Sequence, residues 1–125
     1  HFHGAGSFHP TRAITDGRYK LIHRLPGSVG KPIVSVDGDR SNSEREKLSP
    51  TAPCQAVYQR LQDPPTWELY DLQVDPYEFN NRSGAEAFSE VEASLRSALS
   101  QWQETTNDPF REKSFSAEVS QRYVK

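Results

Sequence analysis

The sequence predicts an α+β fold: a small antiparallel sheet of about four strands with one long C-terminal helix packed on one face. Three observations predict it. An Asp16-Gly17 pair separates two β-prone runs, the pattern of a tight hairpin. "TWELYDL", residues 66–72, is a further strand by composition. Phe88, Val91, Leu95, Ala98, Leu99 and Trp102 recur at helical spacing and form one apolar stripe. A sheet and a helix that are each apolar on one side bury those sides against one another.

Each element follows from local chemistry. The opening "HFHGAGSFHP" mixes histidines, aromatics and small residues without a period and reads as a loop. In "TRAITDGRYKLIHRL", Gly17 supplies the positive φ of the turn. Beyond it Tyr19, Leu21, His23 and Leu25 alternate onto an inward face, while Arg18, Lys20, Ile22 and Arg24 share the other. Lys20 and Arg24 read as a solvated strand face. Pro26 to Pro50 is rich in Gly, Pro, Ser and charge, which predicts an irregular excursion with one short β-like run at Ile33–Val36. Its mixed-charge run from Asp37 to Lys47 reads as solvated loop. Cys54, Val57, Tyr58 and Leu61 then fall on one side of a short helix that Pro64-Pro65 must end.

After the third strand, Asp75, Pro76 and Glu78 suit the cap, first position and capping-box partner of a single helical turn, which Asn80-Asn81 stops. Ser83 and Glu86 make a second capping box for the long helix, and Asn107, Asp108 and Pro109 end it. The elements expected from local signals end at residue 109. The tail, "FREKSFSAEVSQRYVK" from 110 to 125, alternates weakly and reads as a surface wrap.

Composition bounds the function. Fifteen basic against 17 acidic residues give a net charge of −2, no footprint for nucleic acid. No apolar run approaches the roughly 18 residues of a membrane span. Leu, Ile, Val and Phe make up only one residue in five, thin for a free-standing core, so part of the cover is expected from a partner surface. The chain starts at His1 and contains no methionine, and we read it as a piece of a longer polypeptide. Asp71, Asp75 and Glu78 lack the alternate carboxylate spacing of a calcium loop. His1, His3, His9, His23 and Cys54 lack the paired spacing of a zinc site, so no metal is expected in this chain. Cys54 reads as a small buried hydrophobe rather than a nucleophile.

"GRYKLI" followed downstream by "ELYDLQVDPYEFNN" resembles the C-terminal subdomain of the sulfatases, in the alkaline-phosphatase-like superfamily. The matching residues are Arg12, Gly17, Tyr19, Lys20, Leu21 and Ile22; then Glu68, Leu69, Tyr70, Asp71, Leu72, Asp75, Pro76, Glu78 and Asn81; then Trp102. The "FHPTRAI" opening is most similar to the heparan N-sulfatase-like branch. The resemblance covers about residues 1–109. It implies a lobe that forms one wall of the pocket for a sulfated carbohydrate and leans on a catalytic N-terminal domain, which this chain does not contain. It also implies that the formylglycine made within C/S-x-P-x-R, and the calcium beside it, belong to that parent enzyme. Cys54 is followed by Gln55, Ala56, Val57 and Tyr58 and does not begin such a motif. By the same resemblance His3 and His1 would contact the sugar, and Arg12 would carry a sulfate, the alternative for Arg12 being the carboxylate partner that an arginine on a strand more often has. A periplasmic, secreted or lysosomal location follows from the family. The alternative is a stand-alone binding module with the same α+β architecture; C/S-x-P-x-R encoded upstream of "HFHGAGS" separates the two.

Overall fold

In the computed structural model, residues 8–27, 47, 51 and 53–123 are described. Three strands form one antiparallel sheet in the order β1 (Thr11–Thr15), β2 (Tyr19–Arg24), β3 (Trp67–Asp71). The hairpin forms as its Asp-Gly pair requires. Gly17 sits at φ 100°, and the Asp16 carboxylate accepts from the backbone N–H of Arg18 (2.9 Å) and Tyr19 (2.7 Å). Those two bonds hold the Asp16 carboxyl below its ordinary pKa. β2 then pairs with β3 in the register Tyr19↔Asp71, Leu21↔Leu69 and His23↔Trp67.

The inward face is the expected one. Leu21 and Leu69 are fully buried, and with Leu95 they form a core against which Ile14, Tyr19, Trp67, Phe88 and Val91 pack. The long helix, α2 (Ser89–Thr105), follows α1 (Pro53–Gln62) in the chain and lies across β1 and β2. α1 appears where its apolar spacing and the following prolines place it, with Cys54, Val57 and Tyr58 half-buried. About four strands were expected and the described residues hold three; the fourth run, Ile33–Val36, lies outside them. The outer edge of β3 is closed by a side chain instead. Asn81 accepts from Leu69 N–H (2.9 Å) and donates to the Trp67 carbonyl (3.1 Å), while Arg82 N–H donates to the Leu69 carbonyl (2.7 Å). An amide thus does what a neighbouring strand would do for an exposed edge.

Three expectations about the C-terminal helices need correction. The helix starts at Ser89, after a 3₁₀ turn at Glu86–Phe88, and not at a Ser83–Glu86 box. Ser83 Oγ (2.7 Å) and Gly84 N–H (2.8 Å) donate instead to Glu92, a buried carboxylate on the helix that Arg96 also reaches at 2.6 Å. Burial would raise the Glu92 pKa, but these three donors outweigh it and the net shift is downward. Trp102, expected in the core, is 47% exposed, and Ala98 is exposed with it. The inward line runs Leu95, Leu99, Gln103, stepping by four, because the last turns pass the sheet and meet the chain that follows. The tail is no extended wrap. Residues 113–123 form helix α3 (Lys113–Tyr123), after a 3₁₀ turn at Pro109–Arg111. Its buried line uses Ser116 and Ser120 beside Phe115 and Val119, so small polar residues disguise the helical period.

The α2 terminus behaves as its residues predict. Asn107 takes φ 51°, its N–H donates to the Glu104 carbonyl (3.1 Å), and Asp108 N–H donates to the Gln103 carbonyl (2.9 Å). This is the Schellman arrangement, with Asn in the left-handed position.

Candidate functional site

Of the residues singled out for substrate contact, Arg12 is described, on β1, and the segment leading into that strand lies at one end of the sheet. β1 and β2 pair antiparallel with Thr11 opposite Arg24, and Leu25 N–H donates to the Pro10 carbonyl at 2.9 Å. The segment entering β1 and the segment leaving β2 therefore meet. Phe8, His9 and Pro10 are buried there. His1 and His3 precede them and lie outside the described residues.

Arg12 faces the chain that links α2 to α3. Its Nε and Nη2 donate to the two Asp108 oxygens at 2.8 and 2.7 Å, and Nη1 donates to the Thr11 carbonyl at 3.0 Å. The guanidinium also lies 4.8 Å over the Phe110 ring. Asp108 accepts in addition from Gln103 Nε2 (3.1 Å) and Phe110 N–H (3.3 Å). Arg12 beside it, then these further donors, hold its carboxyl below the ordinary range against burial. The charge of Arg12 is thus met inside the fold, and the pair clamps the end of α2 to β1.

Next to this clamp is a cleft of about 270 Å³. The end of β2 supplies His23 and Leu25, α2 supplies Gln103, the 3₁₀ turn supplies Phe110 and Arg111, and the start of α3 supplies Lys113. The imidazole of His23 stacks on Trp67 at 3.7 Å and 2°. Burial, and then the positive charge of Arg96, lower its pKa, so it is neutral near pH 7. The floor is held by Ser116, whose hydroxyl donates to the Pro26 carbonyl. Gly27 at φ 95° lets the backbone come that close, since a Cβ there would stand 2.6 Å from Ser116 Oγ. Phe110 is fixed by edge contact with Phe115 (5.1 Å) and by Phe8 (6.2 Å). The cleft therefore pairs a rigid aromatic and aliphatic floor with two cationic rim residues and two neutral hydrogen-bonding groups.

A second polar cluster occupies the opposite sheet face. Lys20 was expected to be solvated, but its Nζ meets Glu78 at 2.6 Å. Arg60 on α1 donates to the carbonyls of Glu78 (2.6 Å) and Phe79 (2.7 Å) and lies 3.6 Å from Glu68, to which Tyr70 donates at 2.5 Å. Burial and that bond to a carboxylate raise the Tyr70 pKa and keep the phenol protonated. Asp75 caps backbone here, but not that of a helical turn. It accepts from Phe79 N–H (3.0 Å) and Asn80 N–H (2.8 Å), while Glu78, rather than Asn80 or Asn81, takes the left-handed φ of 58°. Arg24, also expected to be solvated, has Nε and Nη1 buried without a hydrogen-bond partner. Its burial lowers its pKa, opposed by the nearby Glu68 charge.

Among the described residues, no group of three or more His, Cys, Asp or Glu is placed to hold a metal ion. No helix among them is long and apolar enough to cross a membrane. No protein-family model and no curated protein matches the chain. Sequence inspection missed Asp108, Gln103, Arg111 and Lys113 as site residues. Arg12 and Asp108 are 96 positions apart, and no local pattern signals a partner at that range.

Proposed function

We propose that this chain is the C-terminal lobe of a sulfatase that hydrolyses sulfate esters or N-sulfates of carbohydrates. In this role it forms one wall of the substrate pocket and is inactive alone. What supports the reading is the convergence of the two segments that carry the family pattern. Lys20 of the first meets Glu78 of the second at 2.6 Å, and Leu21 pairs across the sheet with Leu69. Residues recognised as a motif thus act as one unit. Gly17 turns the hairpin, Asp75 ties the turn after β3, and Asn81 closes the β3 edge. The acids of "ELYDLQVDPYEFNN" build a scaffold and leave chemistry to a neighbour. The catalytic domain would bring the formylglycine and calcium. His3 and His1, which precede β1 in the chain, would contact the sugar.

The test is sulfate release by the parent protein encoded by the same reading frame, with calcium, from O-sulfated and N-sulfated glucosamine. Turnover by the parent, together with silence of this 125-residue chain, is the expected result. An upstream sequence without C/S-x-P-x-R, or a parent that releases no sulfate, would overturn the proposal. Enzyme-like turnover by the isolated chain would overturn the inactive role.

A further inference from the structure

We propose that the cleft between the end of β2 and the start of α3 binds a small aromatic carboxylate: one apolar ring carrying a single short acidic arm. This site is independent of the proposed enzymatic role, because the residues that line the cleft set its ligand class.

Charge at the rim selects a monoanion. Lys113 is exposed and has no ion-pair partner among the described residues, and Arg111 commits Nη2 alone, to Glu104 at 3.1 Å. Arg12, the next cation, is already neutralised by Asp108 through both oxygens. Two rim cations against the one carboxylate of Glu104 leave a single positive charge unmatched. One ionised carboxylate balances that charge, and its bonds to Arg and Lys donors are roughly twice as strong as neutral ones. The floor selects an aromatic body. Leu25 is buried, and Phe110 is fixed edge-on by Phe115 at 5.1 Å and by Phe8 at 6.2 Å, so a flat carbon face is already in place for a second ring. Polar partners for a hydroxylated ring are few. The Ser116 hydroxyl is committed to the Pro26 carbonyl and Gln103 Nε2 to Asp108 at 3.1 Å, which leaves the Gln103 oxygen and the neutral His23 imidazole. Hydroxyls laid against Leu25 and Phe110 would lose water without replacement. At about 270 Å³ the space lies just under the usual range of small-molecule sites, roughly 300–1,000 Å³, which suits one ring with one substituent. The walls are also tied before any ligand arrives. Gly27, at φ 95°, brings the end of β2 against Ser116, and the Arg12–Asp108 clamp holds the turn that carries Phe110 and Arg111. A preformed cleft of this kind loses little ordering entropy on binding.

The experiment titrates the full 125-residue chain with phenylacetate and follows its backbone amide signals by heteronuclear NMR. A ligand with about ten non-hydrogen atoms is expected to bind with a Kd of roughly 0.1–10 mM. The shifts should saturate in that range and centre on Leu25, Gln103 and the segment from Phe110 to Lys113. Three comparison compounds separate the contributions: acetate keeps the charge without the ring, phenylacetamide keeps the ring without the charge, and glucuronate puts a carboxylate on a hydroxylated ring. Each should bind at least about tenfold more weakly than phenylacetate. Arg111→Gln with Lys113→Gln should weaken phenylacetate binding by about tenfold or more, whereas Lys113→Arg should retain it. Both rim positions are exposed, so an unchanged melting temperature checks the fold of the Gln pair, and the compound series stands without any variant. Shifts that fail to saturate, or that centre elsewhere on the chain, would overturn the site. Acetate or phenylacetamide binding as tightly as phenylacetate would overturn the pairing of ring and charge, and glucuronate binding as tightly would overturn the aromatic ligand class. An unchanged Kd in the folded Gln pair would show that the rim cations do not hold the acid.

Discussion

Removing Asp108 tests the contact that joins the two ends of the chain. In Asp108→Ala the Arg12 guanidinium loses both oxygen partners, at 2.8 and 2.7 Å, and Gln103 and Phe110 N–H each lose an acceptor. The Asp108 side chain is 4% exposed and that of Arg12 25%. Breaking a buried pair by deleting one partner costs about 3–5 kcal/mol. Water still reaches a quarter of Arg12, so the lower end applies, roughly 3 kcal/mol. With a urea slope near 2 kcal/mol/M for a chain of this size, the unfolding midpoint should fall by about 1.5 M. Tryptophan emission follows the transition, because Trp67 is packed between His23 and Arg96 contacts in the folded state. A double-mutant cycle with Arg12→Ala isolates the pair, and a coupling energy above about 1.5 kcal/mol is expected. The pH dependence gives an independent check. The Asp108 carboxyl has a folded pKa below its ordinary 3.8, so its stabilisation is complete above that value and is lost as pH falls through the folded pKa. Asp108→Ala should lack that acid-side loss. A coupling energy below about 0.5 kcal/mol, with wild-type acid sensitivity in the variant, would refute the clamp.

Three further substitutions report on separate parts of the fold. Leu99→Ala should cost about 2–5 kcal/mol, whereas Trp102→Ala, at a half-exposed position, should cost under about 1 kcal/mol; thermal melts that reverse this order would show that α2 is rotated from the orientation described. Gly27→Ala places a methyl 2.6 Å from Ser116 Oγ at a φ of 95°, so a loss of at least about 2 kcal/mol is expected, and a melting temperature within error of the parent would refute the close approach of α3 to the end of β2. His23 has a folded pKa below the 6.5 of the exposed side chain, so protonation favours the unfolded state and stability should decline as pH drops below about 6.5. His23→Phe should flatten that decline; an equally steep profile in the variant would place the titrating group elsewhere.

The features legible in the sequence share one property, which is that a few neighbouring residues determine them. Asp16-Gly17 specifies the hairpin because only certain residues tolerate the turn's dihedrals, and the alternation after it assigns Leu21 to the core whatever lies beyond. Pro64-Pro65 stops α1 and Asn107 stops α2 for the same local reason. The tertiary structure decided what distance in the chain conceals. Gln103 and not Trp102 continues the inward line of α2, because the helix runs past a sheet that is only three described strands wide. Lys20 and Arg24 belong to a solvated face by periodicity, yet one is paired with Glu78 and the other has two guanidinium nitrogens buried, because α1 and the turn after β3 cover that side. α3 was concealed by the serines it buries. The candidate site itself arises only when residues 8–12, 23–27 and 103–116 are folded together. A pocket is a property of surfaces brought into register by packing, and alternation or helical spacing within one segment carries no information about which distant segment will face it.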